Sequence, residues 1–210
     1  MLDIGGRPIL EHNVRLAAAH GITDLVINLH HAPQTVVDHF GDGSAFGVSI
    51  RYAFEPELLG TAGALVPVRD FFEHETFAVL YGDNFTTCDL SALVARHRTA
   101  RAVATIALFE REDPQASGIV AFDDAGIVTR FLEKPKPEEI FSRWVNAGVL
   151  IFEPTVLAGI PPAGPSDFGR DILPAMLARG ERIAAYRMTE DLWWIDSPAD
   201  YERTLAHFAR

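Results

Sequence analysis

The chain has 210 residues, 29 acidic against 18 basic, a formal net charge of −11 and one cysteine. That balance argues against a nucleic-acid footprint but not against phosphorylated small molecules, for which a single basic residue can serve. Cys88 alone excludes an internal disulfide and a cysteine-based zinc site, which fits a reducing cytoplasm. The start carries neither a basic n-region nor an apolar h-region, and no run reaches the ~18 apolar residues that span a bilayer. A cytoplasmic protein without a membrane segment is expected. The length suits a single α/β domain over residues 1–210, large enough to bury roughly 70% of its unfolded surface.

In chain order, Gly5-Gly6-Arg7-Pro8 predicts a turn that opens a helix, with Leu10, Val14, Ala17 and Ala18 at helical spacing and Gly21 as its stop. Residues 25–29 predict a buried strand, and Pro33 leads a short helix carrying Val36, Val37 and Phe40. Alternation of Val48, Ile50, Tyr52 and Phe54 with polar or small residues predicts the next strand. The segment 55–65 then reads as a glycine-containing loop entering a helix. Its spacing is neither a Rossmann fingerprint nor a P-loop. Gly60 and Gly63 allow close backbone approach around the Thr61 hydroxyl, or Thr61 simply caps the helix and Gly63 serves packing.

Residues 77–80 continue into Tyr81-Gly82-Asp83-Asn84. The unbroken apolar run suits a strand covered on both faces, and Gly82 permits a close turn. Asp83 then emerges where open α/β sheets bind ligands, unless it merely caps the following turn. Asp89 predicts the cap of a helix bearing Leu90, Leu93, Val94 and His97, and residues 102–109 a further strand. Residues 119–122 and 127–132 read as a hairpin, hence an antiparallel insertion. Pro135 and Pro137 then hold Glu133 and Lys134 in a fixed loop, as ligand groups or as a solvated surface pair.

Residues 145–152 return to the sheet through Asn146-Ala147-Gly148, polar and small where a purely structural strand would not be. Asp167 predicts the cap of a helix with Ile172, Leu173, Met176 and Leu177, which explains Asp167-Phe168-Gly169 better than any kinase reading. A strand follows at 183–188. Another at 192–195 ends in Asp196, and Ser197-Pro198 starts the last helix. His30 and His31, adjacent on a strand, point to opposite faces and do not share an ion.

Six segments in order resemble the sugar-1-phosphate nucleotidyltransferases, the family of mannose-1-phosphate guanylyltransferase and glucose-1-phosphate thymidylyltransferase. They are Ile-Gly-Gly-Arg-Pro-Ile-Leu-Glu-His at 4–12, Leu-Gly-Thr-Ala-Gly-Ala at 59–64, Tyr-Gly-Asp-Asn at 81–84, Glu-Lys-Pro at 133–135, Asn-Ala-Gly-Val at 146–149 and Trp-Ile-Asp at 194–196. The resemblance implies a Rossmann-like, GT-A-like α/β fold: a mostly parallel mixed sheet flanked by helices, with an antiparallel sugar-binding insertion. It implies a nucleoside triphosphate and a sugar-1-phosphate as substrates, with a mild preference for the GDP-mannose type.

By the same resemblance, Gly60, Thr61, Gly63 and Gly82 would line the nucleotide pocket, while Gly118, Glu133 and Asn146 would contact the sugar. Lys134 would face the sugar phosphate, and Asp83 and Asp196 would hold Mg²⁺, an ion commonly bound by one or two carboxylates plus substrate phosphates. Asp83, Lys134 and Asp196 are the implied catalytic set.

Two departures stand out. Asp196 is followed directly by Ser197-Pro198, a shorter loop than the family's Trp-x-Asp-x-Gly-Thr-Pro. The family also opens with a central strand, a Gly-x-Gly-Thr-Arg loop and a Pro-Lys, and Met1 aligns just after that Pro-Lys. The resemblance therefore implies a longer natural protein and little activity for this stretch alone, with a catalytically silent subunit paired to an active paralogue as the alternative. An exposed sheet edge would invite homo-oligomeric association.

Overall fold

Two short strands, β1 (Asp3–Ile4) and β2 (Arg7–Pro8), pair across the Gly5-Gly6 turn in the computed structural model, which describes residues 1–195 and 197–208. The remaining elements follow in order: α1 (Ile9–Ala19), β3 (Asp24–Leu29), α2 (Pro33–Phe40), β4 (Ser49–Phe54), α3 (Gly60–Gly63), β5 (Phe77–Leu80) and β6 (Asn84–Thr86). After them come α4 (Leu90–Ala100), β7 (Ala104–Glu110), β8 (Gly118–Phe122), β9 (Val128–Glu133), β10 (Trp144–Phe152), α5 (Leu173–Ala178), β11 (Ile183–Arg187), β12 (Leu192–Trp194) and α6 (Pro198–Phe208). This is an α/β fold with mixed sheet pairing. No described helix is long and apolar enough to cross a membrane.

The chain divides into two compact units. The first comprises Met1–Glu57, Leu80–Leu90 and Glu190–Arg210. In it β3 and β4 run parallel, from Asp24 opposite Ser49 to Leu29 opposite Phe54. Val14 of α1, Val36 and Phe40 of α2, and Val48 close over Ile27 and Leu29 as one apolar cluster. A second cluster gathers Ile4, Ile9 and Phe85 under Trp193, Ile195 and Tyr201, with β12 antiparallel to β6. Glu11 is buried on α1 but accepts from Arg15 at 2.7 Å and His39 at 2.8 Å. Burial raises its carboxyl, yet those two partners outweigh burial and leave its pKa lowered.

The second unit, Leu58–Val79 and Ser91–Thr189, is built on the sheet order β11-β7-β10-β8-β9, with β5 also paired to β10. β7 and β11 are parallel, whereas β7–β10, β10–β8 and β8–β9 are antiparallel, so the expected hairpin insertion is present. Residues 104–108 of β7 and 147–152 of β10 are all buried, which explains their near-continuous apolar sequence.

Three local expectations differ from the structure. All four residues of β5 are only half-buried, because among the described residues β5 pairs with β10 alone and lies at a sheet margin. The helix after Gly60 is a single turn, followed by a 3-10 segment at Val66–Phe71, and Thr61 lies inside that turn rather than capping it. Asp167 does act as a cap, but the turn it opens, Phe168–Ile172, is a π-helix that passes into α5.

His97 on α4 anchors the second unit's polar core. It is 1% exposed, with Nδ1 2.8 Å from Thr105 Oγ1 and Nε2 3.0 Å from Glu153 Oε1, which also accepts from Thr76. Burial raises the Glu153 carboxyl, but hydrogen bonds from His97 and Thr76 outweigh it and leave its pKa lowered. A His97→Leu variant strands the buried Thr105 hydroxyl and takes from the Glu153 carboxylate one of its two side-chain partners, leaving Thr76. It should lose about 2–3 kcal/mol in urea unfolding, whereas a surface substitution on α4 should shift stability by no more than about 0.5 kcal/mol.

Candidate functional site

Gly118 and Glu133 face each other across the β8–β9 ladder, so the hairpin register itself sets a glycine against a carboxylate. A β-carbon on Gly118 would lie 2.6 Å from Glu133 Oε2 and 2.5 Å from Phe131 Cζ, closer than real contacts allow. A β-carbon on Gly169 would strike the same oxygen. The carboxylate therefore occupies the space that two missing side chains leave. Burial pushes the Glu133 pKa up, the nearby Asp167 charge pushes it further, and Lys134 and Arg170 offset only part of this.

Lys134 follows in an exposed position with φ at +47°, a left-handed conformation that both its β-carbon and the next residue, Pro135, disfavour. The hairpin holds it there through the Lys134 N–H, which donates to Ser117 O at 3.2 Å. Such an outlier costs of order 1–3 kcal/mol and persists where the surroundings over-determine it, often at functional sites. Asn146 sits on β10 next to Val145, which pairs with Ile119, the neighbour of Gly118. Its Oδ1 accepts from Gly148 N at 3.0 Å inside the register shift of β10.

The Gly60-Thr61-Ala62-Gly63 turn packs on the segment that leads to Gly169. Ser166 O accepts from Ala62 N at 2.9 Å and Gly63 N at 3.0 Å, while Ser166 N donates to Leu59 O at 2.8 Å. A β-carbon at Gly60 would meet Ser166 O, so these glycines admit another stretch of backbone. Thr61 Oγ1 donates to Asp167 Oδ2 at 2.9 Å and accepts from Phe168 N at 2.9 Å. The described structure thus brings Gly60, Thr61 and Gly63 onto residues 166–168, next to the Gly118–Glu133–Gly169 constellation.

Gly82 and Asp83 belong to the first unit. They occupy a turn closed by Asn84 N donating to Tyr81 O at 3.2 Å, and both are exposed. Asn13, 5% exposed on α1, donates from Nδ2 to Asn84 O at 3.0 Å and Tyr81 O at 3.4 Å, gripping both ends of the turn. Asp196 lies outside the described residues. Among the described residues no three His, Cys, Asp or Glu side chains converge as a metal cage. An exposed carboxylate such as Asp83 nevertheless fits the mode in which Mg²⁺ takes one or two carboxylates and completes its shell with phosphates and water.

Asp167, Gly169 and Asn13 had no site role in the sequence reading. Asp167 and Gly169 read as a helix start and nothing more. Asn13 left a usable signal: a polar residue between the buried stripe positions Ile9, Val14 and Ala17, where an amide needs an internal partner.

The raised Glu133 carboxyl has a consequence for stability. The folded chain holds a proton there that the unfolded chain has released, so stability is greatest at and below the ordinary carboxylate range and falls as pH rises through the raised value. Glu133→Gln should remove that fall. Glu11 and Glu153 carry the opposite slope but stay in both proteins, so the difference between the two urea-unfolding profiles against pH reports Glu133. Parallel profiles would contradict the assignment.

The family profile described as nucleotidyl transferase matches residues 1–197. A uridylyltransferase for UTP and glucose-1-phosphate from Synechocystis is 34% identical over 209 residues, covering 93% of this chain and 53% of the relative. A mannose-1-phosphate guanylyltransferase from Mycobacterium tuberculosis is 34% identical over 212 residues, covering 100% of this chain and 58% of the relative. The chain thus spans little more than half the length of these relatives. A Bacillus anthracis crystal structure assigned as a glucose-1-phosphate thymidylyltransferase, in complex with a sucrose, superposes with a TM-score of 0.88 at 24% identity, over 99% of this chain and 85% of that one; at that identity it speaks for the fold. With the family profile covering nearly the whole length, the chain belongs to the nucleotidyl transferase family.

Proposed function

We propose that this chain transfers a nucleotidyl group from a nucleoside triphosphate to a sugar-1-phosphate, releasing pyrophosphate, with GTP and mannose-1-phosphate as the preferred pair. The observation that carries the reading is the Glu133 carboxylate seated between Gly118 and Gly169, with a cation on the next residue. A carboxylate with no neighbouring β-carbon can accept hydrogen bonds from sugar hydroxyls, and Lys134 supplies the charge that a sugar phosphate needs. The guanylyltransferase relative, aligned over the whole chain, supports the choice of mannose-1-phosphate and GTP.

In this reading Gly118, Glu133 and Asn146 hold the sugar, and Lys134 steers its phosphate. The residues Gly60, Thr61 and Gly63 border the nucleotide. An oxygen of the sugar phosphate attacks the α-phosphorus in line, forming a new P–O bond as the bond from the α-phosphorus to the bridging oxygen breaks. Pyrophosphate departs with that electron pair. No protein atom bonds covalently to substrate, so the residues act by positioning and by charge neutralisation. Asp83 and Asp196 would hold Mg²⁺, which would supply further charge neutralisation.

The test is pyrophosphate release from GTP, UTP and dTTP with mannose- or glucose-1-phosphate in the presence of Mg²⁺. Turnover should be highest with GTP and mannose-1-phosphate. Lys134→Met should lower kcat/KM by about 10²-fold, the scale for losing one charge-stabilising donor. Asp83→Asn should raise the Mg²⁺ concentration needed for half-maximal rate. Gly169→Ala, which pushes a methyl at the Glu133 carboxylate, should raise KM for the sugar phosphate. Sugar-nucleotide binding without pyrophosphate release from any pair would instead favour a silent binding subunit.

A further inference from the structure

Thr61 and Asp167 are 106 residues apart, yet they share a 2.9 Å hydrogen bond. Asp167 has further partners. Its Oδ1 accepts from Gly169 N at 2.9 Å and Arg170 N at 3.3 Å, and its own N–H donates to Asp171 Oδ2 at 2.7 Å. The oxygen that accepts from Thr61 is thus part of the carboxylate that fixes Gly169, the residue seated against Glu133 Oε2. Thr61 Oγ1 also accepts from Phe168 N, and the Phe168 ring is fully buried, stacked 4.6 Å from Phe152 with the planes 18° apart. A shift of the Gly60–Gly63 turn therefore cannot leave residues 167–169 where they are.

We propose that the Thr61–Asp167 hydrogen bond couples the two substrate subsites, so that nucleotide bound on the Gly60–Gly63 turn raises affinity for the sugar phosphate at Glu133. This rests on the subsite assignments of the proposed function. The physical route is shared ordering. Gly60 is exposed and its turn is short, so a nucleotide that fixes it also fixes Asp167 and Gly169 through Thr61. The sugar phosphate then meets a wall whose ordering cost is already met. Linkage makes the effect reciprocal. Thr61 and Asp167 act here as positioning residues, through Gly169 and Glu133.

The experiment is a binding cycle on the whole chain by titration calorimetry. The probes are α,β-methylene analogues of GTP, UTP and dTTP, which cannot release pyrophosphate, with mannose-1-phosphate and glucose-1-phosphate. For the pair that binds, the nucleotide should tighten sugar-phosphate binding about 5-fold or more. Thr61→Val, which keeps the shape but loses the hydroxyl, should bring that ratio to about one, and Thr61→Ser should restore it. Amide hydrogen exchange gives a second readout: the analogue should slow exchange at Phe168, Gly169 and Arg170 in the wild type and not in Thr61→Val. A chain that binds neither ligand overturns both the subsites and their coupling. A chain that binds both with a ratio of one overturns the coupling alone, as does an undiminished ratio in Thr61→Val. Should Thr61→Val fail to fold, unchanged wild-type exchange at 168–170 on adding the analogue overturns the proposal by itself.

Discussion

The close seating of the Gly60–Gly63 turn on Ser166 and Asp167 is the constraint from which the rest of the site follows. Three backbone hydrogen bonds and two through the Thr61 hydroxyl join segments about a hundred residues apart. Residues lacking β-carbons at 60 and 63 are what let the two backbones meet. Once joined, residue 166 is set, the Asp167 cap is set, and Gly169 arrives beside Glu133. The π-helical first turn is consistent with this: Asp167 O accepts from both Asp171 N and Ile172 N, so the turn widens without losing its bonds.

Charge follows from how each carboxylate is partnered. Glu11 and Glu153 are both tied to a histidine, and Glu11 also to an arginine, and both are lowered. Glu133 is desolvated, faces Asp167, and lies beside an exposed lysine, and it is raised. The first two stabilise the fold more as pH rises past the acid range, whereas Glu133 works against folding there. A group that costs stability at neutral pH and sits between two glycines is what a ligand-binding carboxylate looks like in physical terms. A cation or hydroxyl donor supplied by a substrate would relieve the same cost.

Strain and unmet polarity recur at the same places. Lys134 is held at a positive φ before a proline by the hairpin end, and Asn13 spends both amide hydrogens on carbonyls of the Asp83 turn. Asn13 Oδ1 and Ser166 Oγ are buried without a hydrogen-bond partner among the described residues. Both flank turns that carry candidate site residues, one at Asp83 and one at the glycine turn. At His97, by contrast, each ring nitrogen has a side-chain partner.

The sequence by itself was enough for most of the longer strands and helices, the hairpin insertion, the Asp167 cap and the family. Each of these rests on local periodicity, on glycine and proline, or on short ordered motifs. It also marked Gly118, Glu133, Lys134, Asp83 and the Gly60–Gly63 turn as candidates. Tertiary structure alone decided that Thr61 bonds to Asp167 rather than capping its own helix, and that Asp167 and Gly169 belong beside Glu133. It alone decided that Asn13 grips the Asp83 turn, and that β5 is half-buried despite its apolar run. The half-burial of β5 follows from its pairing with β10 alone among the described strands, and the other three share one physical reason. A hydroxyl, a carboxylate or an amide has several partners of equal chemical merit within reach of an unfolded chain. Which one it takes depends on backbone brought from tens to about a hundred residues away, and no spacing rule in the sequence carries that information.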